Sequence, residues 1–225
     1  MKTLYIIHGW TYTTKYWEET LNILKNDGFS VKMLNVPGLT EPSKNVFTIE
    51  NYVAWANEKL PKNALVLGHS NGGRILLNLL KDNPNRISHL ILLNSAGIYE
   101  PSKKRDLIQK ISKLGAPLKK IPLLRKVFHK LIGASDYDHA PENMKKTLRN
   151  MLESDKSLNL ENITTKTTIL WGEADTTTPP RQGKKLHTAL KNSTIKFYKN
   201  WTHAPYISDP KGLAHALEKI IKETN

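Results

Sequence analysis

The residues from Gly68 to Gly72 carry the clearest chemical signal in the chain. They read Gly-His-Ser-Asn-Gly and match G-x-S-x-G, a pattern that surrounds a nucleophilic serine, here Ser70. An apolar run over 64–67 precedes them and a helical pattern over 72–80 follows. A serine on a tight turn between a strand and a helix exposes its hydroxyl, and glycines on both sides leave room for that turn. The context predicts that Ser70 acts as a nucleophile.

A serine nucleophile requires a general base, and the base requires a carboxylate that orients it. His203 follows the last predicted strand, whereas the other histidines fall in predicted helices, strands, strand-end turns or a central insertion. Two carboxylates, Glu173 and Asp175, follow the preceding strand. Asp175 lies farther past the strand end, so its side chain can reach across the sheet. We predict His203 as the base and Asp175 as the acid, with Glu173 as the alternative.

The developing negative charge on a carbonyl oxygen requires two N–H donors. The chain turns at His8-Gly9 directly after the first apolar run, and a helix begins directly after Ser70. We predict that the backbone N–H groups of Trp10 and Asn71 are these donors. The positive end of the helix dipole would add to the stabilisation of the oxyanion.

Short apolar runs alternate with longer helical patterns along the chain, which predicts an α/β fold with a parallel sheet covered on both faces. The exception is a stretch at 98–160, which has a helical pattern without a convincing strand and is predicted to be an insertion after the fourth strand. The predicted strands are 4–7, 31–36, 64–67, 87–93, 167–171 and 194–198.

With these segments in place, the chain resembles the α/β-hydrolase superfamily over nearly its whole length. The resemblance implies a Ser70–His203–Asp175 triad, a core of residues 1–97 and 161–225, and a helical cap or lid formed by 98–160. The family's usual N-terminal antiparallel strands are not expected here, so about six strands are predicted rather than eight. The matching segments are His8-Gly9-Trp10, Gly68-His69-Ser70-Asn71-Gly72-Gly73, Gly172-Glu173-Ala174-Asp175 and Thr202-His203-Ala204.

The composition excludes several other kinds of protein and of functional site. The absence of Cys excludes a disulfide framework, a thiolate metal site and a cysteine nucleophile. Neither a signal peptide nor a membrane span is evident, so a cytoplasmic protein is expected. No H-E-x-x-H spacing occurs, and we expect neither a metal nor a cofactor.

The formal net charge of +14 is concentrated in the predicted cap, where residues 101–134 contain ten Lys or Arg and one acid, Asp106. Apolar residues recur through this stretch at helical spacing. The first interpretation of this stretch is a cap whose apolar face covers the catalytic cleft and whose lysines face the solvent. The alternative is adsorption to an anionic membrane surface. Nucleic acid is not an expected partner, because no recognised binding module accompanies the charge.

The resemblance favours a serine esterase that cleaves a small-molecule carboxylic ester, in the manner of a carboxylesterase or lipase. Two alternatives stay open at this point. A C–C bond hydrolase or lactonase would use the same triad, and a non-catalytic ligand receptor would keep the fold without the reaction.

Overall fold

The computed structural model describes residues 2–99 and 140–224. Six strands and seven helices alternate within them, together with a single 3-10 turn at Lys15–Trp17. The strands are β1 Leu4–Ile7, β2 Val31–Leu34, β3 Ala64–His69, β4 Ile87–Leu93, β5 Lys166–Gly172 and β6 Ser193–Tyr198. The helices are α1 Glu18–Asn26, α2 Ile49–Lys59, α3 Asn71–Asp82, α4 Glu142–Ser154, α5 Pro180–Ala189, α6 Pro205–Ser208 and α7 Pro210–Lys222.

The strands form one sheet in the order β2-β1-β3-β4-β5-β6, and every neighbouring pair is parallel. This arrangement confirms the predicted fold class and the expected six strands. The register places Ile7 beside Gly68 and Gly172 beside Tyr198, so these strand ends lie at one edge of the sheet. The loops that follow β1, β3, β4, β5 and β6 therefore start close together, as the carboxyl ends of parallel strands must.

Both faces of the sheet are buried, and alternate strand residues belong to different cores. Leu65 and Leu67 pack with residues of α1 and α7 on one face, whereas Val66 packs with residues of α2, α3 and α5 on the other. Burial on both faces explains why the central strands are continuous apolar runs rather than alternating ones. Burial of apolar side chains, which contributes about 25 cal/mol per Å² of buried apolar surface, is the main stabilising contribution to the sheet.

Helix α4 lies in the insertion after β4, in agreement with the predicted helical character of that segment. Its Met144 and Leu148 are buried in the same core as α2. Thr147 accepts a hydrogen bond from the Phe47 backbone (2.9 Å), which ties the helix to the loop before α2. The basic stretch 101–134 of the predicted cap lies outside the described residues, and the proposed limits of the cap remain a prediction.

The main differences from the predicted elements are local. Strand β2 ends at Leu34 rather than residue 36, because Val36 to Glu41 close a turn in which Glu41 N–H donates to the Val36 carbonyl. The short helix α6 was not predicted, since four residues are too few to show a helical period. Among the described residues, no helix has both the length and the apolar character required to cross a membrane.

Candidate active site

Ser70 lies on a sharp turn between β3 and α3. Its backbone has φ 50° and ψ −116°, a conformation that few non-glycine residues adopt and that stores strain. The turn fits only because its neighbours lack side chains. A Cβ atom on Gly72 would lie 2.0 Å from the Ile7 carbonyl oxygen, and one on Gly68 would lie 2.6 Å from Gly73 Cα. The local sequence therefore places Ser70 on a tight turn directly after the end of β3, where the residue is 8% exposed.

The structure brings together Ser70, His203 and Asp175, which lie in three different loops. Ser70 Oγ is 3.0 Å from His203 Nε2, and His203 Nδ1 is 2.8 Å from Asp175 Oδ2. An ionised carboxylate can only accept, so Nδ1 carries the imidazole proton and Nε2 faces the serine hydroxyl as an acceptor. This is the hydrogen-bond order that transfer of a proton from a serine hydroxyl requires.

Asp175 is buried and accepts hydrogen bonds at both carboxylate oxygens. Its Oδ1 accepts from the backbone N–H groups of Thr177 (2.7 Å) and Thr178 (2.9 Å), and its Oδ2 from the Thr178 hydroxyl (2.7 Å) and from His203. Burial opposes ionisation, but the hydrogen bonds and the charge of His203 outweigh it, so the pKa of Asp175 is lowered. Glu173, the alternative acid, is exposed.

His69 immediately precedes the serine but is held in another role. Its Nε2–H donates to the His203 backbone carbonyl (2.8 Å), and its ring lies edge-on to both Trp17 and Tyr206. Burial, reinforced by the nearby His203, lowers the pKa of His69 to about 3. A neutral ring clamped in this way does not compete with His203 as a base.

The two predicted oxyanion donors belong to two segments that flank the serine turn. Asn71 is the first residue of α3, and Trp10 is in the loop after β1. That loop approaches the turn closely, because a Cβ atom on Gly9 would lie 3.0 Å from Ser70 Cβ. The backbone N–H of Trp10 therefore belongs to a loop that contacts the serine.

A hydrogen-bond chain holds the peptide between Gly9 and Trp10. His8 Nδ1–H donates to the Gly9 carbonyl (2.8 Å), which leaves His8 Nε2 to accept from the Thr40 hydroxyl (2.8 Å). Thr40 Oγ1 accepts in turn from the Val36 N–H (2.9 Å). In a trans peptide the N–H points opposite to the C=O. Fixing the Gly9 carbonyl therefore also fixes the direction of the Trp10 N–H.

Two residues of the site were not identified from the sequence. Asn94, directly after β4, donates to the backbone of the His203 loop, and the Thr178 hydroxyl donates to Asp175. The sequence did contain a sign of Asn94, because it is a polar residue directly after an apolar strand. Asp175 and His203 were predicted on the same ground, as polar residues that follow predicted strands. The signal for Thr178 was weaker, because Thr176, Thr177 and Thr178 are equivalent in the sequence.

Comparisons with known proteins agree with this architecture. A sequence model of the alpha/beta hydrolase fold matches residues 2–116, half of the chain. The chain is 24% identical to a pimeloyl-[acyl-carrier protein] methyl ester esterase of Neisseria meningitidis serogroup A, covering 99% of this chain and 77% of the relative. An enzyme of the same name from Photobacterium profundum is 23% identical, covering 97% of this chain and 94% of the relative.

Solved structures share the same architecture at low sequence identity. A putative lipase from Acinetobacter baumannii superposes with a TM-score of 0.74 at 20% identity, covering 99% of this chain and 84% of that chain. A thermophilic esterase from Thermogutta terrifontis gives a TM-score of 0.71 at 16% identity, covering 100% of this chain and 90% of that chain. By its sequence match, its parallel sheet and the strained serine turn between β3 and α3, the chain belongs to the α/β-hydrolase fold family.

Proposed function

We propose that the protein hydrolyses carboxylic esters through an acyl-enzyme on Ser70. The observation that carries the proposal is the continuous hydrogen-bond path from Ser70 Oγ through His203 to the buried Asp175. Each bond of this path has the donor and acceptor that general-base activation of a serine needs. Relatives and structural neighbours named as esterases support the same class of reaction.

In the acylation step, Ser70 Oγ attacks the ester carbonyl carbon while its proton passes to His203 Nε2. Asp175 stabilises the resulting imidazolium through its bond to Nδ1. The carbonyl oxygen becomes an oxyanion, which the N–H groups of Trp10 and Asn71 stabilise. His203 then gives the proton to the departing alkoxide oxygen, so that an alcohol leaves and the acyl group stays on Ser70.

Deacylation repeats these steps with water as the nucleophile. His203 takes a proton from water, the hydroxide attacks the acyl carbon, and the proton returns to Ser70 Oγ as the carboxylic acid leaves. Loss of one oxyanion donor in such a site costs about 100- to 1000-fold in kcat. No cofactor or metal enters any of these steps.

Activity on a chain-length series of p-nitrophenyl esters tests this proposal. Ser70→Ala and His203→Gln are expected to lower kcat by roughly 10⁴-fold or more, because a triad acts as a unit. Ser30→Ala, at an exposed serine before β2, is the matched control and should retain full activity. Activity that survives Ser70→Ala would overturn the mechanism. A wild-type protein inactive on every ester would favour the lactonase, C–C hydrolase or receptor alternatives.

A narrower substrate class follows from the named relatives, which act on the methyl ester of a pimeloyl group attached to an acyl-carrier protein. One observation on this chain favours a protein-borne anionic substrate. The segment 176–208 contains six Lys or Arg and no Asp or Glu. All six of these basic residues, Arg181, Lys184, Lys185, Lys191, Lys196 and Lys199, are exposed. Exposed positive charges of this kind would attract a carrier that bears negative charge.

The comparison that tests this substrate uses pimeloyl-carrier methyl ester and free pimelate monomethyl ester, each at low and high salt. A preference for the carrier-bound ester that weakens as salt rises is the expected result. Equal kcat/KM for the two esters at both salt concentrations would reject the carrier-bound substrate while leaving ester hydrolysis intact.

Adsorption to anionic lipid through residues 101–134 is a separate proposal about residues that the structure does not describe. It predicts co-sedimentation with anionic vesicles that salt weakens, and none with neutral vesicles. A protein that binds neither anionic nor neutral vesicles would contradict this proposal. A cytoplasmic location likewise remains a prediction from the sequence.

A further inference from the structure

Asn94 lies where the three segments of the candidate triad meet. It follows β4 directly, is fully buried, and has a positive φ of 43°. Asparagine tolerates this left-handed conformation better than most residues do. The left-handed conformation costs free energy. Such strained residues occur preferentially at functional sites, and Asn94 is in addition buried and fully hydrogen-bonded.

The backbone on either side of Asn94 holds the serine. Ser70 N–H donates to the Leu93 carbonyl (3.1 Å), and the Ser70 carbonyl accepts from the Ala96 N–H (2.9 Å). Hydrogen bonds with residues 93 and 96 therefore hold the strained turn at both the N–H and the carbonyl of Ser70. Asn94 lies between these two points of attachment.

The side chain of Asn94 reaches the other two segments. Its Nδ2 donates to the Thr202 carbonyl (2.7 Å) and to the His203 carbonyl (3.1 Å). Its Oδ1 accepts from the N–H of Gly172 (2.8 Å), the last residue of β5 and three residues before Asp175. Both polar atoms of the side chain are thus bonded, Nδ2 to the loop that carries His203 and Oδ1 to the strand end that leads to Asp175.

The main chain of Asn94 adds contacts to β5 and to Thr178, the residue that bonds Asp175. Its N–H donates to the Leu170 carbonyl (3.0 Å) in β5. Its own carbonyl is 3.1 Å from the Thr178 hydroxyl, which is also 2.7 Å from Asp175 Oδ2. That hydroxyl has a single hydrogen, so Asn94 and Asp175 compete for it, and the shorter distance favours Asp175.

We infer that Asn94 is a positioning residue that sets the place of His203 and Asp175 relative to Ser70. The inference rests on the proposed function, because it assumes that these three side chains react together. The side chain of Asn94 bonds both the His203 loop and the end of β5. A displacement of about 1 Å in such a site can cost about 100-fold in rate, so the positioning bonds bear directly on kcat.

Replacement by glycine isolates the side-chain bonds. Asn94→Gly keeps a residue that accepts positive φ and removes the whole side chain with its hydrogen bonds. The matched control is Asn63→Gly, the same change at an exposed asparagine with φ 57°. Asn94→Asp is the shape-preserving variant, because it keeps the acceptor for Gly172 but turns the donor into an acceptor that faces two carbonyls.

The measurement is kcat per active site, with sites counted by titration with a fluorophosphonate. Counting sites separates loss of folded protein from loss of rate, so partial unfolding does not hide the result. We expect both Asn94 variants to lower kcat per site by about 10- to 100-fold with KM changed by less than about threefold, because the base and acid lose alignment. Asn63→Gly should match the wild type.

A purely structural role would give a different pattern. It would lower the melting temperature and the number of titratable sites in both Asn94 variants, but leave kcat per site within about twofold. That result would overturn the inference. Ser70→Ala, assayed alongside, distinguishes the failures. If it stays active, the proposed function fails. If it is inactive while Asn94→Gly is unchanged, only the role of Asn94 fails.

Discussion

Arg74 and Asp155 form a buried ion pair that joins α3, the helix that begins after Ser70, to the residue at the end of α4. Arg74 Nε lies 2.7 Å from Asp155 Oδ1 and Arg74 Nη2 lies 2.9 Å from Asp155 Oδ2. Both side chains are only 5% exposed. The remaining guanidinium nitrogen, Nη1, donates to Asn71 Oδ1. The pair therefore connects the insertion to the residue whose N–H is proposed as an oxyanion donor.

Removing one partner of this pair is expected to destabilise the protein strongly. Asp155→Ala leaves the Arg74 charge buried without a counter-charge, which costs about 3–5 kcal/mol. The double variant Arg74→Met/Asp155→Leu should recover most of that loss, because it removes both charges and keeps apolar volume. Urea unfolding measures both effects, with the exposed pair Lys59–Glu58 as control. A single-variant loss below about 1 kcal/mol would show that water compensates the charge.

The glycines of the serine turn should tolerate no side chain. Gly72→Ala places a methyl group 2.0 Å from the Ile7 carbonyl oxygen, so β1 and the turn must separate. We expect a loss of about 1–3 kcal/mol or more in unfolding free energy, and a loss of ester hydrolysis. Gly28→Asn is the control, because that position has open space and a φ of 83° that asparagine accepts. A fully active Gly72→Ala would contradict the geometry of the turn.

The chain from Val36 through Thr40 to His8 predicts a kinetic effect at a distance from the serine. Thr40→Val keeps the shape of the side chain but leaves His8 Nε2 without its donor, so the Gly9–Trp10 peptide loses its orientation. We expect kcat to fall about tenfold, less than for loss of a whole donor, with KM nearly unchanged. Thr188→Val, on the exposed surface of α5, serves as control. Unchanged kcat would mean that the peptide is held by other contacts.

The buried His89 predicts a pH dependence of stability. Its two ring nitrogens contact Thr224 (2.9 Å) and Thr168 (2.8 Å), and burial, together with Lys166 and Lys2, lowers its pKa from 6.5 to about 4. Between these two values the unfolded chain binds a proton that the folded protein does not. Stability therefore falls as pH drops through this range, by at most about 1.4 kcal/mol per pH unit for one group.

Urea unfolding across this pH range tests the assignment. His89→Gln should show a shallower fall in stability than the wild type, whereas His187→Gln, at an exposed position, should not differ. Part of the slope should persist in His89→Gln, because burial also lowers the pKa of His8 and of His69. Parallel curves for wild type and His89→Gln would show that His89 does not carry the effect.

The sequence was sufficient for the elements and for most of the residues at the sheet edge. Strands β1 and β4 have the predicted limits, because apolar runs buried on both faces end abruptly at turns. The positions of Ser70, Asp175 and His203 after their strands could be read in the same way, since parallel strands deliver their following loops to one edge. The choice between Glu173 and Asp175 could only be argued from distance past the strand.

The tertiary structure decided which of these residues meet and what holds them. It placed Asp175 against His203 with Glu173 exposed, and it revealed Asn94 as the residue bonded to both the base loop and β5. Periodicity records only whether a side chain is buried, which is a local property. A hydrogen bond between residues 94 and 203 depends on strand order, register and a left-handed backbone angle together. These exist only after the sheet has assembled, so no local pattern could have specified the partners of Asn94.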